Sequence, residues 1–246
     1  MSHVPPGYRS ITCPDGTRAV ARAADADDIS LILREATLHE WAAAQRDRRA
    51  LRGRGVAWAV SLPGGSTVVV RHSMHGGMLA SLTGDRFLAP TRAPHELEVA
   101  CWLRSGGVRT PEVAAYATYP AGPLLRRSDV ATVEIPDARD LGEYCRLGGN
   151  ELDDALELTR ELVESLSMAG AHHPDLNVKN VLIGPDDGRK SAWVLDVDRV
   201  RRTDPRDAMS ANVRRLVRSL NRWRTRHSAP VTHEQVARIA ALGERS

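Results

Sequence analysis

The sequence predicts an α+β protein in two parts, the first small and sheet-rich and the second mainly helical. Three observations carry this reading. β-Branched runs separated by Gly and Pro turns dominate as far as about residue 135, and apolar residues at helical spacing dominate beyond it. The 246 residues, 42% hydrophobic and 26% charged, also supply enough apolar material for a core in each part. The expected divisions are an extension over residues 1–50, a sheet-rich part over 51–136 and a helical part over 137–246.

In chain order, a Pro/Gly-rich opening leads into residues 25–50. There Asp27 and Asp28 precede Ile29, Ile32, Leu33, Ala36 and Trp41, a spacing that predicts one amphipathic helix. LRGRGVAWAVSLPGGSTVVVRH then reads as two strands about the turn Pro63-Gly64-Gly65. Residues 73–93 read as an irregular connection. A helix is expected from about Pro94 to Arg104, stopped by Gly106-Gly107. Strands follow near 113–119 and 124–135. Asp140 and Glu143 form a D-x-x-E capping pattern for a short helix, and a longer helix is expected from Glu151 to Gly170. Val181–Ile183 and Ala192–Val197 read as strands bracketing a Gly-Pro-Asp-Asp-Gly turn. In the tail, Val213, Leu216, Val217, Leu220 and Trp223 recur at helical spacing, with Arg214, Arg215, Arg218 and Arg222 between them. That pattern predicts an amphipathic helix with an outward basic face.

Composition narrows the function. Cys13, Cys101 and Cys145 are odd in number, widely spaced and without a C-x-x-C pair, so reduced thiols in a cytoplasmic protein are expected. No signal-peptide pattern opens the chain, and no run approaches the ~20 apolar residues of a membrane span. The net charge is +3 with Lys179 and Lys190 the only lysines, yet Arg199 to Arg226 holds ten arginines against Asp204 and Asp207, a local +8. Such a patch predicts an anionic partner. Nucleic acid is not the expected one, because Trp223 is the single aromatic among these arginines and no recognition motif is present.

The stretch HHPDLNVKN, followed by a strand and then WVLDVDR, carries the chemistry. Phosphoryl transfer needs one carboxylate to orient a hydroxyl in line with the γ-phosphate, and hard oxygen ligands to hold magnesium on the phosphates. Asp175, Asn180 five residues on, and Asp196 beyond the next hairpin supply these residue types. His173, Asp175, Leu176 and Asn180 match the protein-kinase pattern H-R-D-L-x-x-x-N in register, with Pro174 in place of Arg and Asp198 where D-F-G would have Gly. Gly53 and Gly55 stand where a glycine loop would cover ATP, Arg71 stands where kinases have their strand lysine, and Glu96 or Glu98 follows as its candidate partner. Asp140 reads as a helix cap, and Lys179 as a solvated lysine or a phosphate contact.

From about Leu51 to Trp223 the chain resembles the 3-deoxy-D-manno-octulosonic acid (Kdo) kinases of the bacterial lipopolysaccharide kinase group. The likeness rests on VVVRHSMHGGMLASLTGDRFL, HELEVACWL, VEIPDARDL, HPDLNVKNVLI, VLDVDR and ANVRRLVRSL. The resemblance implies a two-lobed protein-kinase-like fold, ATP and Mg2+ as cofactors, and transfer of the γ-phosphate to a Kdo hydroxyl of the lipid A inner core. By position, Arg71 and Glu96 would pair in the ATP lobe, with Gly53, Gly55, Glu134 and Ile135 also against the nucleotide. Asp175 would be the base, and Asn180 and Asp196 the metal ligands. A Kdo-lipid A acceptor also implies a peripheral position on the cytoplasmic face of an anionic inner membrane. The sequence departs from the group at His75-Gly76-Gly77, where RRGG is expected, and in its N-terminal segment. The alternatives are a kinase-like enzyme for another small-molecule or protein acceptor, and a pseudokinase. The intact Asp175, Asn180 and Asp196 speak against the latter.

Overall fold

In the computed structural model, which describes residues 4–52, 56–73 and 87–244, the β-branched runs of the first half become an antiparallel sheet. Its strands are β1 (Tyr8–Thr12), β2 (Arg18–Arg22), β3 (Arg49–Arg52), β4 (Val56–Ser61), β5 (Thr67–His72), β6 (Phe87–Leu88), β7 (Val113–Pro120) and β8 (Leu125–Val133). They lie in the order β1-β2-β7-β8-β5-β4-β3, with β6 added beside β8. This sheet belongs to the first of two units, residues up to Glu98 together with Glu112–Glu134; the second comprises Val99–Pro111 and the residues from Ile135 onward.

The N-terminal 50 residues are part of the first unit's sheet, through β1 and β2. The single helix expected over 25–50 is two, α1 (Ala26–Ile32) and α2 (Leu38–Ala44). Thr37 breaks it. Its backbone is extended, and it forms a reciprocal capping box with Glu40 that satisfies backbone donors at the start of α2. Ile29, Ile32, Leu33, Leu38 and Ala42 pack on Val60, Val68, Val70 and Ala131 to form this unit's core. Alternation along β5 thus sends Val68 and Val70 to the α1/α2 face and Arg71 to the other. His72 returns to the α2 side. There the fully buried Asp129 accepts from the Tyr119 hydroxyl at 2.9 Å and the His39 amide at 3.0 Å, and meets His72 Nδ1 at 2.5 Å. Burial first, and the Asp129 charge second, push the Tyr119 phenol far above its ordinary range.

Helix α3 (Ala93–Ser105) follows the sequence expectation to within a residue at either end, and β7 and β8 lie where strands were read. In the second unit, α4 (Leu141–Leu147) begins at Asp140, whose carboxylate accepts from the Glu143 amide at 3.1 Å. Helix α5 (Gly149–Met168) is the predicted long helix. After β9 (Arg139–Asp140) and β10 (Ala171–His172), the hairpin of β11 (Val181–Asp186) and β12 (Arg189–Val194) turns at Asp187-Gly188, so β12 ends two residues short of Asp196. A short β13 (Arg201–Arg202) pairs antiparallel with β10.

The basic segment forms α6 (Pro205–Arg226), which buries Val213, Leu216, Leu220 and Trp223 against its own unit. A further helix, α7 (His233–Ala240), has a Thr232/Gln235 capping box that went unread in the sequence. Leu141, Leu152, Leu166, Leu176, Val194, Leu216, Leu220 and Ile239 are essentially inaccessible and make the second core. Among the described residues no helix is long and apolar enough to cross a membrane.

Candidate active site

The loop after α5 starts at Gly170, in the left-handed region at φ +64°, where a Cβ would stand 2.6 Å from the Thr203 carbonyl oxygen. Only glycine fits that approach. The chain then passes through β10 to His173, which is fully buried. Burial pulls the His173 pKa below its ordinary 6.5, so the ring is neutral, with one N–H and one lone pair. Both are used. The Nε2 atom donates to the Leu195 carbonyl at 2.9 Å, and Nδ1 accepts from the Asp175 amide at 3.2 Å. One imidazole therefore ties the backbone at Asp175 to the residue preceding Asp196.

Asp175 and Asn180, predicted from spacing alone, are in direct contact. The Asn180 Nδ2 donates to the Asp175 carbonyl at 2.9 Å, as does Asn177 Nδ2 at 2.8 Å. Spending its amide nitrogen on the backbone leaves the Asn180 Oδ1 as the acceptor atom. The Leu195 amide donates to the Asn180 carbonyl at 2.9 Å, which sets Asp196 next to the same loop. Asp196 is exposed and left-handed, at φ 59° and ψ 49°, a conformation that Asp tolerates better than most residues. An amide oxygen and an exposed carboxylate are hard donors of the kind that would hold magnesium. The strand leading to Asp196 is held from its other side: the Val194 amide donates to the Arg109 carbonyl at 2.9 Å, and Thr110 Oγ1 donates to the Val194 carbonyl at 2.9 Å.

Asp140 does more than cap α4. Its second carboxylate oxygen takes the Lys179 ammonium at 2.7 Å, and that ammonium lies 5.4 Å from the centre of the Trp223 ring. Lys179 is therefore engaged, not simply solvated.

Helix α6 holds the loop from beneath with three side chains on one stripe. Asn212 accepts from the His173 amide at 2.9 Å and donates to the Ala171 carbonyl at 2.8 Å. Arg215 Nη2 donates to Asp175 Oδ1 at 2.7 Å. Ser219 Oγ accepts from the Val178 amide at 3.2 Å. This corrects the expectation that all four tail arginines face outward: Arg214, Arg218 and Arg222 are exposed, whereas Arg215 is half-buried against Asp175. The stripe is invisible in the sequence because its bonds span about forty residues; the spacing Asn212, Arg215, Ser219 on a predicted helix was the available signal.

In the first unit, Arg71 Nη2 and Glu96 Oε1 form an ion pair with the glutamate side chain almost wholly buried. Of the two candidates Glu96 is the partner, since Glu98 is exposed. Glu134 pairs through its side chain with Arg49, and its amide donates to the Thr67 carbonyl at 3.0 Å. Ile135 lies in the second unit, its side chain over Gly184. Gly53 and Gly55, with the His75-Gly76-Gly77 segment, lie outside the described residues.

The chain is similar to known proteins. The family model described as the lipopolysaccharide kinase (Kdo/WaaP) family matches residues 39–242. A 3-deoxy-D-manno-octulosonic acid kinase of Vibrio parahaemolyticus is 28% identical over 205 residues, 78% of this chain and 83% of that one. Proteins of the same name from Stenotrophomonas maltophilia and Xanthomonas oryzae are each 31% identical, over 76% of this chain and 74% of theirs. The solved structure of WaaP in complex with acyl carrier protein is similar in fold, with a TM-score of 0.51 at 17% identity over 85% of this chain and 82% of that one. The fold is kinase-like, and the chain belongs to the lipopolysaccharide kinase (Kdo/WaaP) family.

Proposed function

We propose that this chain transfers the γ-phosphate of ATP to a hydroxyl of a Kdo sugar in the lipopolysaccharide inner core. The observation that carries the reading is the His173 bridge, which sets a base candidate, Asp175, beside two hard oxygen donors, Asn180 and Asp196. The names of the relatives supply the acceptor.

In this mechanism Asp175 accepts the hydrogen of the acceptor hydroxyl and aims its oxygen at the γ-phosphorus. The new O–P bond forms as the bond to the bridging oxygen breaks, and ADP leaves. Asn180 and Asp196 would hold magnesium, which when bound would supply charge neutralisation for the phosphates. Arg71, kept in place by Glu96, presents a planar guanidinium, a donor suited to a phosphate oxygen. Positioning and charge neutralisation are the whole of the protein's contribution.

The acceptor is a lipid, so the enzyme works as a peripheral protein at the cytoplasmic face of the inner membrane. The exposed Arg214, Arg218 and Arg222 support that placement. Transfer of labelled phosphate from ATP to a panel of Kdo-lipid A, aminoglycosides, simple sugars and peptides tests the proposal. Label on Kdo-lipid A alone is the expected result; label on another member and none on Kdo-lipid A would refute it.

A further inference from the structure

We infer that Arg215 is a positioning residue of the transfer reaction, helping to hold the Asp175 carboxylate in the orientation in which it meets the acceptor hydroxyl. The inference rests on the kinase reading above and adds a residue to it.

A carboxylate has two equivalent oxygens and a soft terminal torsion, so a fixed backbone alone does not decide where either oxygen points. Here the backbone is already fixed without Arg215. The amides at His173 and Val178 are held by Asn212 and Ser219, and the Asp175 carbonyl is held by Asn177 and Asn180. Those contacts hold the backbone, whereas the 2.7 Å bond from Arg215 Nη2 to Oδ1 acts on the side chain itself.

Arg215 also differs from its neighbours. Arg214 and Arg218 extend into solvent as a basic surface would require, whereas Arg215 is turned inward. Its Nε is buried and has no hydrogen-bond partner among the described residues. A planar guanidinium presents its donors in a rigid fork, which an ammonium does not.

The test is a double-mutant cycle on the full chain with Kdo-lipid A as acceptor. Arg215→Gln should lower kcat about 10- to 100-fold with KM for ATP within about twofold, because only acceptor geometry is disturbed. Arg215→Lys should recover part of the loss. In an Asp175→Asn background, Arg215→Gln should cost no more than about a further twofold, since the group it orients is already disabled. Losses that multiply would overturn the inference, as would a lysine variant no better than glutamine.

The contact itself is checked without any substrate, by guanidinium 15N resonances. Restricted rotation at Arg215 should be seen in wild type and lost in Asp175→Ala, which has no acceptor left; resonances identical in the two proteins would also overturn it. A wild type that hydrolyses ATP but leaves Kdo-lipid A unlabelled would refute the acceptor assignment alone. The same cycle then decides the role of Arg215 on transfer to water.

Discussion

Replacing His173 with Phe keeps a buried ring of similar size and removes both of its hydrogen-bonding nitrogens. The Leu195 carbonyl and the Asp175 amide each lose a partner, at 2.9 and 3.2 Å respectively. An orphaned buried polar group costs about 1–3 kcal/mol, and because both residues are half-buried the low end applies, about 2 kcal/mol in total. The substitution also changes the response to pH. The folded imidazole titrates below 6.5 because burial disfavours its charged form, so the unfolded chain binds more protons as acid is added. Stability is therefore full above the ordinary value and falls as pH drops through it toward the folded one. The loss grows as the pH falls below 6.5 toward the folded value. His172 is also lowered, by burial first and then by Arg201, Arg214 and Arg215, but it is common to both proteins and cancels in their difference. Hydrogen exchange of the slowest α5 and α6 amides, at neutral pH and at about pH 5.5, gives all four free energies. The wild type should lose more stability than the variant between the two conditions. An equal loss in both proteins would refute the assignment of a neutral, bridging His173.

Two other outcomes follow from the sites. Arg71→Lys should lower activity and Arg71→Ala should lower it further, since the buried Glu96 is matched to a guanidinium on a longer arm; initial rates at saturating ATP check this, and a lysine variant as fast as wild type would mean that charge alone matters. Changing Arg214, Arg218 and Arg222 together to Gln should weaken co-sedimentation with anionic vesicles by about 1 kcal/mol per residue at low salt. The difference should fade as salt rises, because exposed charges are screened over about 10 Å at 0.1 M.

The contact between Asp175 and Asn180 was legible because its determinants are local. Asp175 and Asn180 are five residues apart and meet through the loop's own backbone. Arg71 and Glu96 were legible for another reason: strand alternation and a following helix leave few partners for a charged residue on that face. Long-range contacts were not legible. The pattern of α6 puts Asn212, Arg215 and Ser219 on one stripe but does not say what that stripe meets, because the deciding atom belongs to a residue forty positions earlier. The strands β1 and β2 were missed because Arg and Ala dilute their β-branched content, although Pro14-Asp15-Gly16 between them is a turn signal. The division between α1 and α2 was also present in the sequence, as Thr37 and Glu40 at capping-box spacing, but helical periodicity on both sides of it hid the break.

The central claim is that one carboxylate serves the acceptor while the other serves the metal and nucleotide, and paired measurements on Asp175→Asn and Asp196→Asn test it most directly. ATP affinity is measured with and without magnesium, and labelled phosphate transfer to Kdo-lipid A is followed in parallel. Asp175→Asn should bind ATP nearly as wild type does yet transfer phosphate about 100-fold more slowly or worse, because its carboxylate acts on the acceptor hydroxyl. Asp196→Asn should lose the magnesium-dependent part of ATP binding, because its carboxylate reaches the phosphates through the metal. Wild-type turnover in Asp175→Asn, or ATP affinity indifferent to magnesium in the wild type, would contradict the account.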